Sequence, residues 1–122
     1  IVSNAAVAMS GSLGLAAALN AGDRHAVANA GHGSAPDIAG RDIANPTGLI
    51  LSCAMLLDWL GNRHQRSDLA AAAQAIDGAV DAVLANPAHH TADLGGKLGT
   101  RAFGAAVASG LEQSARQLAK TA

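Results

Sequence analysis

His32-Gly33-Ser34-Ala35-Pro36-Asp37-Ile38-Ala39-Gly40-Arg41-Asp42-Ile43-Ala44-Asn45-Pro46 is the stretch on which the reading of this chain turns. It is dense in turn formers, carries a His and an Asp close together, and closes on Asn-Pro, after which the sequence flips to a long apolar run. Asn is a favoured N-cap, and Pro at the first helical position pre-sets φ while losing nothing by its missing N–H. A polar loop feeding a helix N-terminus leaves backbone N–H groups without intrahelical partners, which suits a phosphate or a sugar hydroxyl. Composition alone leaves a plainer alternative open, a turn-rich connection in which Asp37 and Asn45 only cap backbone groups.

C-terminal to the loop, three helices are predicted. In the first, Leu49, Ile50, Cys53, Leu56, Leu57 and Leu60 recur at helical spacing until Gly61-Asn62, read as its C-terminal cap. Ser67 is predicted to cap the second, with Asp68 favouring the positive end of its dipole. Its apolar stripe is Leu69, Ala72, Ala73, Ile76, Val80, Val83 and Leu84, and Asn86-Pro87 stops it. A Gly-rich loop over 93–100 leads to a last helix capped by Thr100, with Phe103, Val107, Leu111 and Leu118 on one face.

N-terminal to the loop the signals are weaker. Residues 1–10 read as the tail of a helix or strand entering the turn Gly11-Ser12-Leu13-Gly14. Leu13, Leu15, Ala17 and Leu19 alternate as in a short buried strand, although the intervening alanines also permit helix. Asn20-Ala21-Gly22-Asp23 is a turn signal, and His25 to Ala30 reads as weakly extended. No internal repeat is evident.

The 122 residues fit one domain by length, and the start at Ile1 rather than Met suggests a piece of something longer. Half of the residues are apolar, yet there is one Trp, one Phe and no Tyr, so the core must be built from Ala, Leu, Val and Ile. A net charge of −1 with 14% charged residues gives no basic field for nucleic acid, and the scarcity of aromatics removes base-stacking platforms. No apolar run reaches membrane-spanning length and no signal-peptide pattern is present. The single Cys53 forms no internal disulfide and suits a reducing cytoplasm, the predicted location; on an apolar helical stripe it reads as a buried, inert thiol. His25 and His64 are expected to face solvent. The adjacent His89-His90 lack partners at ligand spacing and read as solvated loop residues, so no metal site is predicted. No Ser-His-Asp or paired-carboxylate spacing supports hydrolase chemistry.

The loop from His32 to Pro46 resembles the adenosine-binding loop of the isocitrate/isopropylmalate dehydrogenase family, β-decarboxylating enzymes that use NAD or NADP with a divalent metal. Ile1-Val2-Ser3-Asn4, Gly11-Ser12-Leu13-Gly14-Leu15, Thr91-Ala92-Asp93-Leu94-Gly95-Gly96 and Gly99-Thr100 resemble further segments of that family, in the same order. The resemblance spans essentially the whole chain but covers only the C-terminal portion of such an enzyme. It implies an α/β fold, part of the family's larger domain, with short strands early and three main helices after the loop. Residues 1–122 would form a single partial domain, an NAD-adenosine-binding segment.

By position, the resemblance gives His32 a contact with adenosine and Gly33, Ser34 and Ala35 a close backbone approach to it. Asp37 would accept hydrogen bonds from the ribose hydroxyls and repel a 2′-phosphate, selecting NAD over NADP. NADP-using relatives carry Lys-Tyr where this chain has Asp37-Ile38. Asn45 would read the adenine edge while capping its helix, and Asp93 would lie near the same pocket. The whole protein would oxidise, and decarboxylate, a malate-like 2-hydroxy acid such as isopropylmalate, isocitrate or tartrate. The family's substrate arginines and catalytic Tyr and Lys lie upstream, so no catalytic residue is assigned here and the chain alone is expected not to turn over substrate. Two positions depart from the family's pattern. Asn29 replaces an acidic residue before the loop, and Asn4 replaces a metal-binding aspartate, which weakens the expectation of Mg or Mn. The alternative is a stand-alone nucleotide-binding or structural module from a truncated gene, without dehydrogenase activity. An apolar face left exposed where a further domain docks would allow homo-oligomers.

Overall fold

The computed structural model describes residues 2–121, with the side chains of residues 3, 4 and 118–121 outside the described set. Leu118, assigned above to an apolar face, and Asn4, at the family's metal position, therefore fall outside the described side chains. Helix α1 (Val2–Ser10) leads through a 3-10 turn (Leu13–Leu15) into strand β1 (Ala17–Ala21), which pairs antiparallel with β2 (Ala26–Ala30). After the loop come α2 (Thr47–His64), α3 (Ser67–Leu84) and α4 (Thr100–Thr121). The short early strands and three main helices are those predicted.

Several boundaries differ. The residues read as one alternating strand split, with Leu13 and Leu15 in the 3-10 turn and only Ala17 and Leu19 in β1. The Ser12 side chain decides this by accepting the Gly14 N–H at 3.0 Å, which starts the turn. The predicted turn at Asn20–Asp23 begins later: β1 runs through Ala21, and the reversal is closed by the Gly22 N–H donating to the His25 carbonyl at 2.9 Å. Helix α2 does not stop at Gly61-Asn62. It continues to His64 and ends on Gln65 in the left-handed region at φ 52°. Gly61 is there for proximity, because a Cβ on it would lie 2.9 Å from Ala70 N and 3.0 Å from the Arg66 carbonyl oxygen, where α3 begins. Ser67 is the first residue of α3 rather than its cap; Arg66 holds that position, and its guanidinium pairs with Asp68 instead.

The core lies between α3 and α4. Val80 and Phe103 are wholly inaccessible, with Ala79, Val83 and Val107 beside them and Ile50, Leu51, Ile76, Leu98 and Leu111 packed around. A chain with one Phe thus spends it at the centre, where a large ring fills space that alanines cannot.

Helix α2 joins this core to the hairpin through Ser52, which is fully buried. Its Oγ accepts the Ala18 N–H at 3.0 Å and lies 2.8 Å from the Asn29 carbonyl and 2.6 Å from the Gly48 carbonyl, so its one proton serves either acceptor. Since Ala18 and Asn29 face each other across the two strands, one hydroxyl fixes both to the helix. Gly48 allows the approach: a Cβ there would lie 2.5 Å from the Ala16 carbonyl oxygen.

Cys53 is exposed rather than buried: it lies between the buried Ser52 and Ala54 in sequence, and the helical rotation of about 100° per residue carries it off the side of α2 that they bury. Val2 and Met9 on α1, Val27 on β2 and Leu49 on α2 are also exposed, at 84%, 90%, 62% and 52%. Among the described residues no helix is long and apolar enough to cross a membrane.

Candidate functional site

The loop, the 3-10 turn at Leu13–Leu15, Asp93 and the start of α4 together enclose a cleft of about 600 Å³. That size falls within the range of about 300–1,000 Å³ usual for small-molecule sites. His32, Gly33, Ser34, Ala35, Ile38, Asn45 and Asp93 all line it. Asp37 does not: it is exposed and makes no hydrogen bond to the described residues. The cause is local. Ala35 turns the chain at φ 41°, and Pro36–Ile38 forms a 3-10 turn. Neighbouring side chains diverge by about 120° in such a turn, so Ile38 takes the inward position and Asp37 stands outside the wall.

Asp93 is the hub of the cleft's polar side. Its Oδ2 accepts from the Ser12 hydroxyl and from Asn45 Nδ2 at 3.0 Å, and its Oδ1 accepts from the Thr91 hydroxyl at 2.5 Å. Partial burial by itself would raise the Asp93 carboxyl. The hydrogen bonds from Ser12, Thr91 and Asn45 outweigh it and hold the group below its ordinary value, so it is a carboxylate at neutral pH. Asn45 is buried, at 6% exposure, and its Oδ1 accepts the Thr47 N–H at 3.0 Å. Because α2 begins at Thr47 with Pro46 as its N-cap residue, Asn45 holds the first N–H of the helix from one position further out than predicted, and Pro46 precedes the first turn rather than opening it. With one amide hydrogen given to Asp93, its side chain keeps only one further donor for a ligand.

Gly14 makes this pair possible. A Cβ there would stand 2.6 Å from Asn45 Cβ and 3.0 Å from both Asn45 Cγ and Asp93 Oδ2.

Asp42, Thr100 and Arg101 also line the cleft; no local signal in the sequence marks Asp42 or Arg101 as site residues, and Thr100 differs from its predicted role as a cap. Thr100 is the first residue of α4, and its hydroxyl donates to the Ala44 carbonyl. The cap comes from the loop instead: the Asp42 carbonyl accepts the Thr100 N–H at 3.1 Å, and Asp42 Oδ1 accepts the Arg101 N–H at 3.0 Å. Asp42 sits in the left-handed region at φ 55°, a conformation Asp tolerates better than most residues. The only signal in the sequence was an Asp flanked by turn formers, and nothing local to it names a helix so distant in the chain. Gly99 keeps the contact open, since a Cβ there would lie 2.7 Å from Asp42 Oδ2.

The remaining titratable residues lie apart. His25 and His64 are exposed, as expected. His89 and His90 are half-buried rather than solvated: His90 Nε2 lies 2.9 Å from the Leu84 carbonyl, and the buried His89 Nδ1 has no partner among the described residues. The 3-10 turn Pro87–His89 folds them back over the end of α3. No group of three His, Cys, Asp or Glu able to hold a metal ion occurs among the described residues.

The two-stranded hairpin with its helices is an α/β arrangement of the isocitrate/isopropylmalate dehydrogenase-like fold. It superposes on a β-decarboxylating dehydrogenase from Thermococcus kodakarensis with a TM-score of 0.80 at 39% identity, covering 92% of this chain and 31% of that one. Isocitrate dehydrogenase from Methylococcus capsulatus matches with a TM-score of 0.76 at 37% identity, over 87% of this chain and 30% of that one.

In sequence, the model of the isocitrate/isopropylmalate dehydrogenase family matches residues 1–107, and the chain belongs to that family. An isocitrate/homoisocitrate dehydrogenase from Thermus thermophilus is 48% identical over 112 residues, 92% of this chain and 31% of that protein. A 3-isopropylmalate dehydrogenase from Methanothermobacter thermautotrophicus is 42% identical over 92% of this chain and 32% of its own length. An NADP-dependent isocitrate dehydrogenase from Rickettsia bellii is 40% identical over 98% of this chain and 24% of its own length. The chain spans about a third or less of the relatives it matches.

Proposed function

We propose that this chain holds the adenosine half of NAD within an oxidoreductase that oxidises, and decarboxylates, a malate-like 2-hydroxy acid. The observation that carries the reading is the shared cleft, in which loop residues and the distant Asp93 meet around one space. His32 offers an exposed imidazole at the cleft, its Nδ1 2.8 Å from the Gly33 carbonyl. Gly33 has open space where a Cβ would stand, and Ser34 and Ala35 are small, so a ligand can approach their backbone closely. Asn45, fixed by Thr47 and Asp93, offers an edge of defined orientation to a base. Asp37 stands outside the wall and acts on the ribose side from the rim, by charge more than by a buried hydrogen bond.

A nicotinamide cofactor supplies the hydride chemistry when bound. What this chain's own residues do is bind and orient its adenosine end. They supply no acid, base or substrate arginine to the reaction. Nothing in the chain's proposed role runs through the Mg²⁺ or Mn²⁺ of the family.

Calorimetric titration with NAD and with NADP tests the reading. NAD is expected to bind more tightly, and Asp37→Lys is expected to narrow or reverse that order. Preference for NADP in the unaltered chain, or equal affinities before and after the substitution, would overturn the role given to Asp37. Absence of binding by both cofactors to a folded chain would overturn the site and favour the alternative of a structural module.

A further inference from the structure

We infer that Arg101 is a specificity-determining residue of the cleft, the group that pairs with a phosphate carried by the adenosine ligand. The inference rests on the proposed nucleotide reading and extends it to a residue that reading does not use.

The charged side chains of the cleft wall are Asp42, Asp93 and Arg101. Asp93 is committed on both oxygens, to Thr91 on one and to Ser12 and Asn45 on the other. Asp42 is committed through Oδ1 to the Arg101 backbone N–H and through its carbonyl to Thr100. The Arg101 guanidinium is different: among the described residues no carboxylate lies within 4 Å of it, and it donates no hydrogen bond. Five donors and a full positive charge thus remain uncommitted beside a cleft whose two carboxylates each already accept hydrogen bonds from the protein.

Placement adds a second reason. Arg101 is the second residue of α4, where the helix dipole disfavours a cation. The residue therefore does not serve its own helix. At the helix terminus the Thr100 and Arg101 N–H groups are already taken by Asp42. That same contact fixes the backbone from which the Arg101 side chain departs. A planar, permanently charged fork on a residue that lines a nucleotide cleft is matched by phosphate oxygens. Two phosphates carry this chemistry, the diphosphate attached at the 5′ position and the 2′-phosphate of NADP.

Titrating the chain and its Arg101→Gln variant with adenosine, 5′-AMP and 2′-AMP separates them. The expected result is a loss of about five- to tenfold in affinity for one phosphorylated nucleotide, with adenosine unchanged. Loss confined to 5′-AMP assigns Arg101 to the diphosphate, and loss confined to 2′-AMP assigns it to the 2′-phosphate. The affinity that is lost should also be the part that weakens with added salt in the unaltered chain. Equal loss for adenosine and both nucleotides, or no loss for any, overturns the inference. Arg101→Lys, which keeps the charge but not the fork, should recover part of the lost affinity; no recovery in a folded variant counts against a phosphate partner. If adenosine fails to bind the unaltered chain, it is the nucleotide reading that fails, and that outcome is distinct from an unchanged Arg101→Gln.

Discussion

Replacing Asp93 in two ways separates what its charge does from what its shape does. Asp93→Ala removes the acceptor of three hydrogen bonds and leaves their donors behind. Two of those donors sit on nearly inaccessible residues, Thr91 at 0% and Asn45 at 6% exposure, and an unpaired buried donor costs about 1–3 kcal/mol. Ser12 is only half-buried, and water entering the vacated space replaces its bond and softens the other two losses. The expected cost is therefore about 2–3 kcal/mol, which for a domain of this size lowers Tm by about 10 °C. Asp93→Asn is different. An amide oxygen in the place of Oδ2 still accepts from Ser12 and Asn45, but the amide NH2 can only donate to the Thr91 hydroxyl, whose own proton then loses its acceptor. With one donor orphaned instead of three, its cost at neutral pH should be about 1 kcal/mol and smaller than that of Ala. Acid gives the sign. The folded Asp93 titrates below its unfolded value, so its contribution is present above about pH 4 and is lost as pH falls through the folded value. Urea unfolding followed by circular dichroism from pH 7 to pH 3 should show the Asp93→Asn and unaltered proteins converging in acid. Equal destabilisation by Asn and Ala, or an Ala variant as stable as the parent, would refute the hub.

Two other substitutions test the frame around the site. Ser52→Ala removes the buried hydroxyl that ties both strands to α2; a cost of about 1–2 kcal/mol is expected, with faster hydrogen exchange at Ala18, and unchanged exchange there would contradict the bridge. Gly14→Ala places a methyl 2.6 Å from Asn45 Cβ, so Asn45 must move; nucleotide affinity should fall by more than stability does, and unaltered affinity would show that Asn45 does not need its present position.

The parts of this fold that were legible in the sequence were those decided by near neighbours. The stripe of α3 is a property of consecutive residues, and Asn86-Pro87 can end a helix without help from elsewhere. Asn45 was legible for the same reason, since the N–H it caps belongs to Thr47. What stayed hidden were contacts whose two halves lie far apart in the chain. Gly61 resembles a helix stop until Ala70 is seen to press on it, and Asp42 resembles a turn residue until α4 arrives to be capped. Asp93 was assigned to the pocket only through the family resemblance; the composition of its loop gave no hint that Ser12 and Asn45 converge on it. Asp37 shows the opposite hazard. Its place in the sequence was read correctly as part of the loop, but the direction of its side chain depends on the phase of a single 3-10 turn.

That direction changes how cofactor preference would be achieved. A carboxylate in the wall would hold the ribose hydroxyls by short hydrogen bonds and reject a 2′-phosphate in a poorly solvated setting, with little response to salt. From the rim, exposed and without a partner among the described residues, Asp37 would act through solvent, and its repulsion of a phosphate would be screened over about 8 Å at physiological ionic strength and about 3 Å at 1 M. If Asp37 sets the preference from there, the ratio of NAD to NADP affinity should shrink several-fold between those conditions. In Asp37→Asn the ratio should already be low and should respond much less. A ratio that holds at 1 M salt would mean either that the ribose hydroxyls bind Asp37 directly after the Pro36–Ile38 turn rewinds, or that the wall excludes the 2′-phosphate by shape. Asp37→Asn again divides these: direct binding predicts weaker NAD affinity at every salt concentration, and exclusion by shape predicts no change in either cofactor.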